Sequence, residues 1–441
     1  MKPIRHILLT AAAILLAATA TAQTGTWSGS LNVSGMELTL IFNLGENGET
    51  ATLDVPDQGA SDIPVNVTRT AIGGITLDIP SIGASFKGMW AGKNIIGSFT
   101  QLGTALPLSL KPGAPVLNRP QTPVGPFPYS SEEVSFANGE ATLRGTLTLP
   151  EGYTEQTPAL IMVTGSGLQN RDEEIFSHKP FAVIADALSR AGIATLRYDD
   201  RGFGESTGDI VNCTTEDLKD DALAGIELLR QRFSKVGVLG HSEGGSIALM
   251  LAAEGKADFA VSLAGMIVSG AETLLWQNRR ALENSGIGKS DTDSYCRLLS
   301  EAYEAVIDGL PLPSADKYGL SDILKQNYLA TSAQLNTPYL KYFLALNVSS
   351  ILSNIKVPVM ALNGSKDTQV ESTRNLGALL AGLPDRSCNI IEEKEGLNHL
   401  FQHCRTGEAS EYKAIEETFS PEVLDEIAGW IRGIWQRPGW E

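Results

Sequence analysis

Seven prolines between Pro107 and Pro128 separate two stretches of chain whose hydrophobic rhythms belong to different architectures. Proline fixes its own φ and has no amide hydrogen to donate, so residues 111–129 read as a stiff, extended connector that regular structure cannot run through. Before it, from Thr26 to about Leu110, apolar and polar residues alternate with a period of two, as in Met36-Glu37-Leu38-Thr39-Leu40-Ile41-Phe42 and Gly74-Ile75-Thr76-Leu77-Asp78-Ile79. That period suits half-buried strands, and turns such as Glu46-Asn47-Gly48 fall at hairpin spacing, so residues 23–110 are expected to form a small antiparallel all-β domain. It contains neither His nor Cys, which points to a structural or substrate-binding role, and its Trp27, Trp90 and Phe99 read as core.

Beyond the connector, strand-length apolar runs alternate with longer segments of helical period, the pattern of βα units and a largely parallel sheet with helices on both faces. Strands are expected at Ala159 to Val163, Ile193 to Tyr198, Val236 to Leu239, Phe259 to Leu263 and Val357 to Leu362, and helices at Pro180 to Ala191, Thr215 to Phe233 and Ser242 to Ala253. The stretch from about Met266 to Leu352 breaks the alternation with helix-like sequence. An insertion there is expected to form a helical cap over the strand ends, where open parallel sheets bind ligands.

The chain carries 34 basic and 51 acidic side chains, a net charge of −17, with no Lys/Arg cluster to offset it locally. Nucleic acid and anionic membrane surfaces are therefore poor partners. Lys2 and Arg5, an apolar run from Ile7 to Ala18, and Ala20-Thr21-Ala22 before Gln23 read as a secretory signal peptide over residues 1–22, and hence a periplasmic or secreted protein. The run is too short to span a bilayer, and no Cys follows it for lipid attachment. Cys213, Cys296, Cys388 and Cys404 are too scattered for a disulfide scaffold or a zinc site. A Cys388–Cys404 bridge is open to an exported chain, with buried free thiols the expected state.

Gly240-His241-Ser242-Glu243-Gly244 matches G-x-S-x-G, in which a sharp strand-to-helix turn needs small residues two positions either side of an exposed serine. A glycine-rich chain produces that pentapeptide by chance often enough that its setting decides: here it follows a predicted strand and opens a predicted helix. A hydroxyl is a weak nucleophile near neutral pH, so Ser242 needs a base, and the base an acid to orient it. Of the histidines after the leader, His178 precedes the serine and His241 adjoins it; His399, after the strand at Asn389-Ile390-Ile391, is the best base and His403 the alternative. Asp367, just beyond another strand, suits the acid, although a turn or helix cap is its ordinary job. The order Ser242, Asp367, His399 is the one expected of α/β-hydrolases. Oxyanion donors are expected from the amides of Glu243 and of Ser166 in the turn Thr164-Gly165-Ser166-Gly167, with a neighbour in that turn as the alternative. The charged loops Arg171-Asp172-Glu173-Glu174 and Arg197 to Ser206 read as ordering elements rather than acid–base pairs, with Phe203 a candidate to touch the pocket.

Val163-Thr164-Gly165-Ser166-Gly167, Arg171-Asp172-Glu173, Tyr198-Asp199-Asp200-Arg201-Gly202, Gly240 to Gly245 and Leu397-Asn398-His399-Leu400-Phe401 together resemble an exported bacterial α/β-hydrolase family of acyl esterases related to the serine aminopeptidases. The resemblance spans about residues 130–435. It implies a cofactor-free, metal-free serine hydrolase with a helical cap, and by position it supports Ser242, Asp367 and His399. Leu168 stands where that family has proline and Phe203 where a smaller residue is common, departures that bear on pocket shape. The N-terminal β domain also looks like one found ahead of such hydrolases.

The leading expectation is a carboxylic ester hydrolase that takes small or medium acyl esters through an acyl-enzyme. An exported serine aminopeptidase or amidase using the same residues is the alternative, and would require a pocket carboxylate for the substrate's α-amine. A thioesterase acting on coenzyme A esters is disfavoured by export, and Asp-nucleophile chemistry is excluded by Ser242 at the turn. A non-catalytic envelope protein that binds a glycan or a partner is the reading from outside enzymology. Trp276, Tyr295, Tyr339 and Phe343 are the cap aromatics that could shape a pocket, with core packing the expected role of each.

Overall fold

The computed structural model describes residues 24–435 apart from 34–35, 46–48, 59, 71–72, 102 and 116. The expected leader and the Glu46-Asn47-Gly48 turn lie outside the described residues. The chain forms two compact units, Met1–Val116 and Leu117–Glu441.

In the first unit eight antiparallel strands close into a barrel: β1 (Gly25–Val33), β2 (Met36–Leu44), β3 (Thr50–Val55), β4 (Ala60–Arg69), β5 (Gly74–Ile79), β6 (Ala84–Ala91), β7 (Asn94–Gln101) and β8 (Thr104–Pro112). Closure is made by β1 returning to β8, with Trp27 opposite Pro112 and Ser28 opposite Lys111, and it removes the free sheet edges of an open meander. The period-two pattern drives every second side chain inward. Ala51, Leu53 and Val55 of β3 and Ile75, Leu77 and Ile79 of β5 are all buried, and a fully buried Leu or Ile contributes about 1.5–3 kcal/mol. Trp27 and Phe99 belong to this core, and Trp90 packs on it edge-on against Trp27 with ring centroids 5.0 Å apart.

The second unit is built on an eight-stranded mixed sheet. Its edge is an antiparallel hairpin, β9 (Tyr129–Asn138) and β10 (Ala141–Pro150), that sequence reading leaves unassigned. The physical reason is visible in Ser130-Ser131-Glu132-Glu133: an edge strand with most of its length in water carries too few apolar residues to show a period. The remaining strands run parallel to one another: β11 (Ala159–Val163), β12 (Ala194–Tyr198), β13 (Val236–His241), β14 (Ala260–Leu263), β15 (Val359–Gly364) and β16 (Ile390–Lys394). The spatial order is β16-β15-β14-β13-β11-β12-β10-β9.

Helices α1 (Pro180–Arg190), α2 (Thr215–Arg230) and α3 (Glu243–Ala253) follow β11, β12 and β13. Between β14 and β15 the insertion forms a helical cap of α4 (Gly270–Asn284), α5 (Lys289–Asp308), α6 (Asp322–Leu335) and α7 (Pro338–Ala345), and α8 (Ser372–Gly382) and α9 (Pro421–Gly433) complete the layers. Strand residues alternate between the two layers. Ala159, Ile161 and Val163 of β11 pack towards α2, α3 and α8, whereas Leu160 and Met162 pack towards α1 and α9, which is why this strand reads as one unbroken apolar run. The cap has a small core of its own, around Tyr295, Leu298, Leu299, Tyr303 and Tyr328.

The proline-rich segment is a free connector over only part of its length. Lys111 and Pro112 finish β8, and from Leu117 the chain belongs to the second unit. There the Arg119 guanidinium donates to the carbonyls of Phe176, Lys413 and Ile415, and the Gln121 amide donates to Phe419 O while accepting from Thr418 N and Phe419 N.

Candidate active site

β13 ends at His241 and α3 begins at Glu243, leaving Ser242 alone at the turn with φ +53° and ψ −118°. A non-glycine residue held there costs on the order of 1–3 kcal/mol and persists only where its surroundings fix it. Ser242 N donates to Leu263 O at 2.8 Å, and the flanking glycines let the turn close. A Cβ on Gly240 would stand 1.8 Å from Gly244 O, and one on Gly244 would stand 2.0 Å from Val163 O, so no larger residue fits at either position.

Asp367 sits in the turn after β15. Its Oδ1 accepts from the amides of Gln369 (2.7 Å) and Val370 (2.9 Å), while its Oδ2 accepts from His399 Nδ1 at 2.7 Å. The turn-capping role and the orienting role are thus filled at once by two different oxygens. Both Asp367 and His399 are buried, and a proton on Nδ1 leaves Nε2 of His399 as the basic nitrogen. The loop that carries His399 is braced by Asn398, wholly buried, whose Oδ1 accepts from Leu400 N and Gln402 N.

Ser242 and His399 face one cavity of about 350 Å³ at the carboxyl ends of the parallel strands. Its floor includes Gly165, Ser166, Glu173 and His241, and the cap closes it with Leu274 of α4 and Tyr339, Leu340 and Phe343 of α7. In the turn after β11, Gly165 N donates to Glu173 Oε1 at 2.8 Å, which excludes that amide as an oxyanion donor. The amides of Ser166 and Glu243 have no acceptor among the described residues.

Glu243 contributes a side chain as well. Its buried carboxyl accepts from Thr215 Oγ1 at 2.6 Å and from the Tyr339 hydroxyl; burial pushes it above the ordinary carboxylate range, against the pull of those hydroxyls. The loop after β12 orders the floor. Asp200, its carboxyl raised well above the usual range by burial, accepts from Thr164 Oγ1 (2.8 Å) and Gln169 N (2.8 Å), and Asp199 takes the Arg171 guanidinium through two bonds, at 2.7 and 3.1 Å. Phe203 is not among the residues that line the cavity.

The other histidines have separate duties. His178, wholly buried, donates from Nε2 to Tyr412 O at 3.0 Å and pairs through Nδ1 with the Thr418 hydroxyl; burial drives its pKa down to about 4. His403 is exposed, pairs with Glu417, and does not line the cavity. His241 lies behind Ser242, with Nδ1 2.8 Å from Glu173 Oε1 and Nε2 donating to His399 O at 2.9 Å. Nothing in the spacing of the sequence announces the pairing of Glu173 with His241, 68 residues apart. Of the cap aromatics, Tyr339 and Phe343 line the cavity, whereas Tyr295 is cap core and Trp276 lies under the Arg280 guanidinium, 5.7 Å from it. All four cysteines are free thiols. Among the described residues no cluster of His, Cys, Asp or Glu could hold a metal ion, and no helix is long and apolar enough to cross a membrane.

The family model described as serine aminopeptidase, S33, matches residues 177–400, a span that holds the whole course of the chain from His178 to His399. The chain belongs to the serine aminopeptidase S33 family. This S33 chain is 27% identical over 314 residues to Esterase EstD of Thermotoga maritima, an alignment that covers 70% of this chain and 69% of that protein. Among solved structures it is similar to an esterase of Pyrococcus furiosus (16% identity, TM-score 0.44, covering 73% of this chain and 99% of that one). It is also similar to a proline iminopeptidase of Mycobacterium smegmatis (15% identity, TM-score 0.44, covering 68% and 98%). The S33 chain has the α/β-hydrolase fold and is a serine hydrolase.

Proposed function

We propose that this S33 hydrolase cleaves uncharged carboxylic esters of small or medium acyl length, using Ser242 as nucleophile, His399 as base and Asp367 as its orienting acid. Ser242 Oγ attacks the ester carbonyl as its proton passes to His399 Nε2, and the Asp367 carboxylate holds the imidazolium that forms. The oxyanion of the tetrahedral intermediate collects the amide of Glu243, at the start of α3 where the helix dipole favours negative charge, and the amide of Ser166 in the turn after β11. Collapse expels the alkoxide, which takes the proton from His399. A water molecule then repeats the sequence on the acyl-enzyme, with His399 again the base, and frees the acid and Ser242. No cofactor or metal enters these steps.

The observation that carries the ester reading is the state of the cavity wall. Its single carboxylate among the described residues, Glu173, already faces His241 and receives Gly165 N through Oε1, while Leu274, Leu340 and Phe343 offer apolar surface to an acyl chain. Hydrolysis of p-nitrophenyl acetate, butyrate and octanoate, measured beside aminoacyl p-nitroanilides on the wild type and Ser242→Ala, tests it. Ester turnover lost in the variant is the expected result. Amide turnover alone would replace this reading with an aminopeptidase, and silence on both would replace it with a narrow natural substrate outside these esters or a binding protein.

Export belongs to the same proposal and rests on Lys2, Arg5, the apolar run and Ala20-Thr21-Ala22. Mass spectrometry of the protein from the producing cell's envelope or medium should find an N-terminus at Gln23; an intact chain confined to the cytoplasm would refute it.

A further inference from the structure

Two buried side chains at the cavity floor have no part in the proton transfers above, yet they touch both halves of the machinery. Glu173 occupies the left-handed region at φ +52°, followed by Phe176 at +50° and Ser177 at +59°, a concentration of strain that non-glycine residues accept only when their contacts dictate it. Those contacts are clear for Glu173. Its Oε1 accepts from Gly165 N at 2.8 Å and faces His241 Nδ1 at 2.8 Å. His241 Nε2 stands 2.9 Å from the His399 carbonyl, and since a carbonyl only accepts, Nε2 carries a hydrogen.

The remaining question is which of the pair owns the proton between them. An amide and a ring nitrogen converge on one oxygen of Glu173, a geometry that suits a carboxylate receiving two donors better than a carboxylic acid giving up its own hydrogen. Both side chains are shut away from water, so each charge requires the other. Burial alone would lower the pKa of the His241 ring; the Glu173 carboxylate overrides it and raises the value. The other ionisable groups facing His241 are Asp367, which favours the same charge, and His399, whose ring centroid is 4.6 Å away.

We propose that Glu173 and His241 form a buried carboxylate–imidazolium strut that fixes the oxyanion turn, through Gly165, against the loop of the base, through the His399 carbonyl. Both are positioning residues, and the inference rests on the ester-hydrolase reading of Ser242 and His399. The strut makes Glu173 a structural counter-ion through its Oε1.

Glu173→Gln keeps the size of the side chain and removes its charge. Nitrogen-15 NMR of the histidine rings at pH 7, with His241 assigned by loss of its signals in His241→Asn, should show both His241 nitrogens protonated in the wild type and a neutral ring in Glu173→Gln. The kcat of Glu173→Gln on p-nitrophenyl butyrate should fall about 10- to 100-fold with KM changed less than about threefold, and labelling of Ser242 by a fluorophosphonate should slow in parallel. A neutral His241 ring in the wild type overturns the proposal, and that arm needs only the His241→Asn assignment, not a folded Glu173→Gln. So does a Glu173→Gln enzyme with full kcat and labelling rate, provided Ser242→Ala is inactive; turnover that survives in Ser242→Ala refutes the ester-hydrolase reading instead, and leaves the NMR arm to decide the charge state.

Discussion

At the scale of single residues the site depends on groups that do two things at once. Asp367 caps its own turn with Oδ1 and orients His399 with Oδ2. Asp367→Asn keeps the turn bonds available but offers an amide where the ring needs an acceptor for its Nδ1 hydrogen, so the proposed base is turned to the wrong tautomer. The kcat on p-nitrophenyl butyrate is expected to drop about 10²- to 10⁴-fold while the unfolding temperature hardly moves. A variant within threefold of wild type would mean that another acid serves His399. His178 makes a different kind of prediction. Its folded pKa of about 4 lies below the ordinary 6.5, so between those values the unfolded chain binds a proton that the folded one refuses. The stabilising contribution is complete above 6.5 and is lost as the pH falls towards 4. His178→Asn should therefore flatten the dependence of unfolding free energy on pH in that window, by up to about 1.4 kcal/mol per pH unit, read by urea denaturation at several pH values. Equal slopes would show that His178 is not held neutral. That Ser242, Asp367 and His399, the residues proposed for the triad, lie near one another was legible in the sequence because each follows a strand closely enough for its place at the sheet's edge to be inferred. The pairing of Glu173 with His241 was not, because a pair made across the fold between two loop ends leaves no period and no motif.

At the scale of elements, α7 is the part of the cap that hydrogen-bonds to the start of α3, beside Ser242. Tyr339 and Tyr342 lie three residues apart on one face of it; the first donates to Glu243 at the start of α3 and the second to Glu216 of α2 at 2.6 Å. Tyr339→Phe removes one donor to a buried carboxyl next to Ser242, the proposed nucleophile, while keeping the aromatic wall. A hydrogen bond to such a group contributes roughly 1.5–3 kcal/mol, so kcat/KM should fall about 10-fold or more, to the same extent for acetate, butyrate and octanoate esters. A loss confined to the longest ester would instead mark Tyr339 as part of the acyl wall alone. The sequence shows that the cap is helical but not which faces look inward, because that orientation is set by packing between helices whose neighbours are distant in the chain. Tyr339 and Phe343 thus line the cavity while Tyr295, equally apolar in context, is spent on the cap's own core. Strand β9 is hidden for the opposite reason, since a water-exposed edge needs few apolar residues, whereas its buried partner β10 does alternate, at Leu143, Leu147 and Leu149.

At the scale of the whole molecule, the two units have separate cores and separate rhythms, and the rhythms are what a sequence displays best. The proline content of residues 111–129 announces a break but not where along it the second unit begins, because stiffness is a local property and anchoring is not. The anchors decide the matter. Arg119 and Gln121 are fastened to the loop around Phe176, beside the Glu173 turn, and to residues 413–419, beyond the loop of His399. A chain started at Leu117 should therefore keep the ester hydrolysis of the full protein, whereas one started at Tyr129 loses the strap that joins those two segments. With bonds from a charged group contributing about 1.5 kcal/mol or more each, and about 2 °C of unfolding midpoint per kcal/mol, the shorter chain should melt at least 5 °C lower and lose activity at temperatures the longer one tolerates. Replacing Arg119 by Met in the full chain should reproduce most of that shift without touching the barrel. If the two truncated chains melt together, residues 117–128 are a passive tether and the boundary of the hydrolase unit lies at β9.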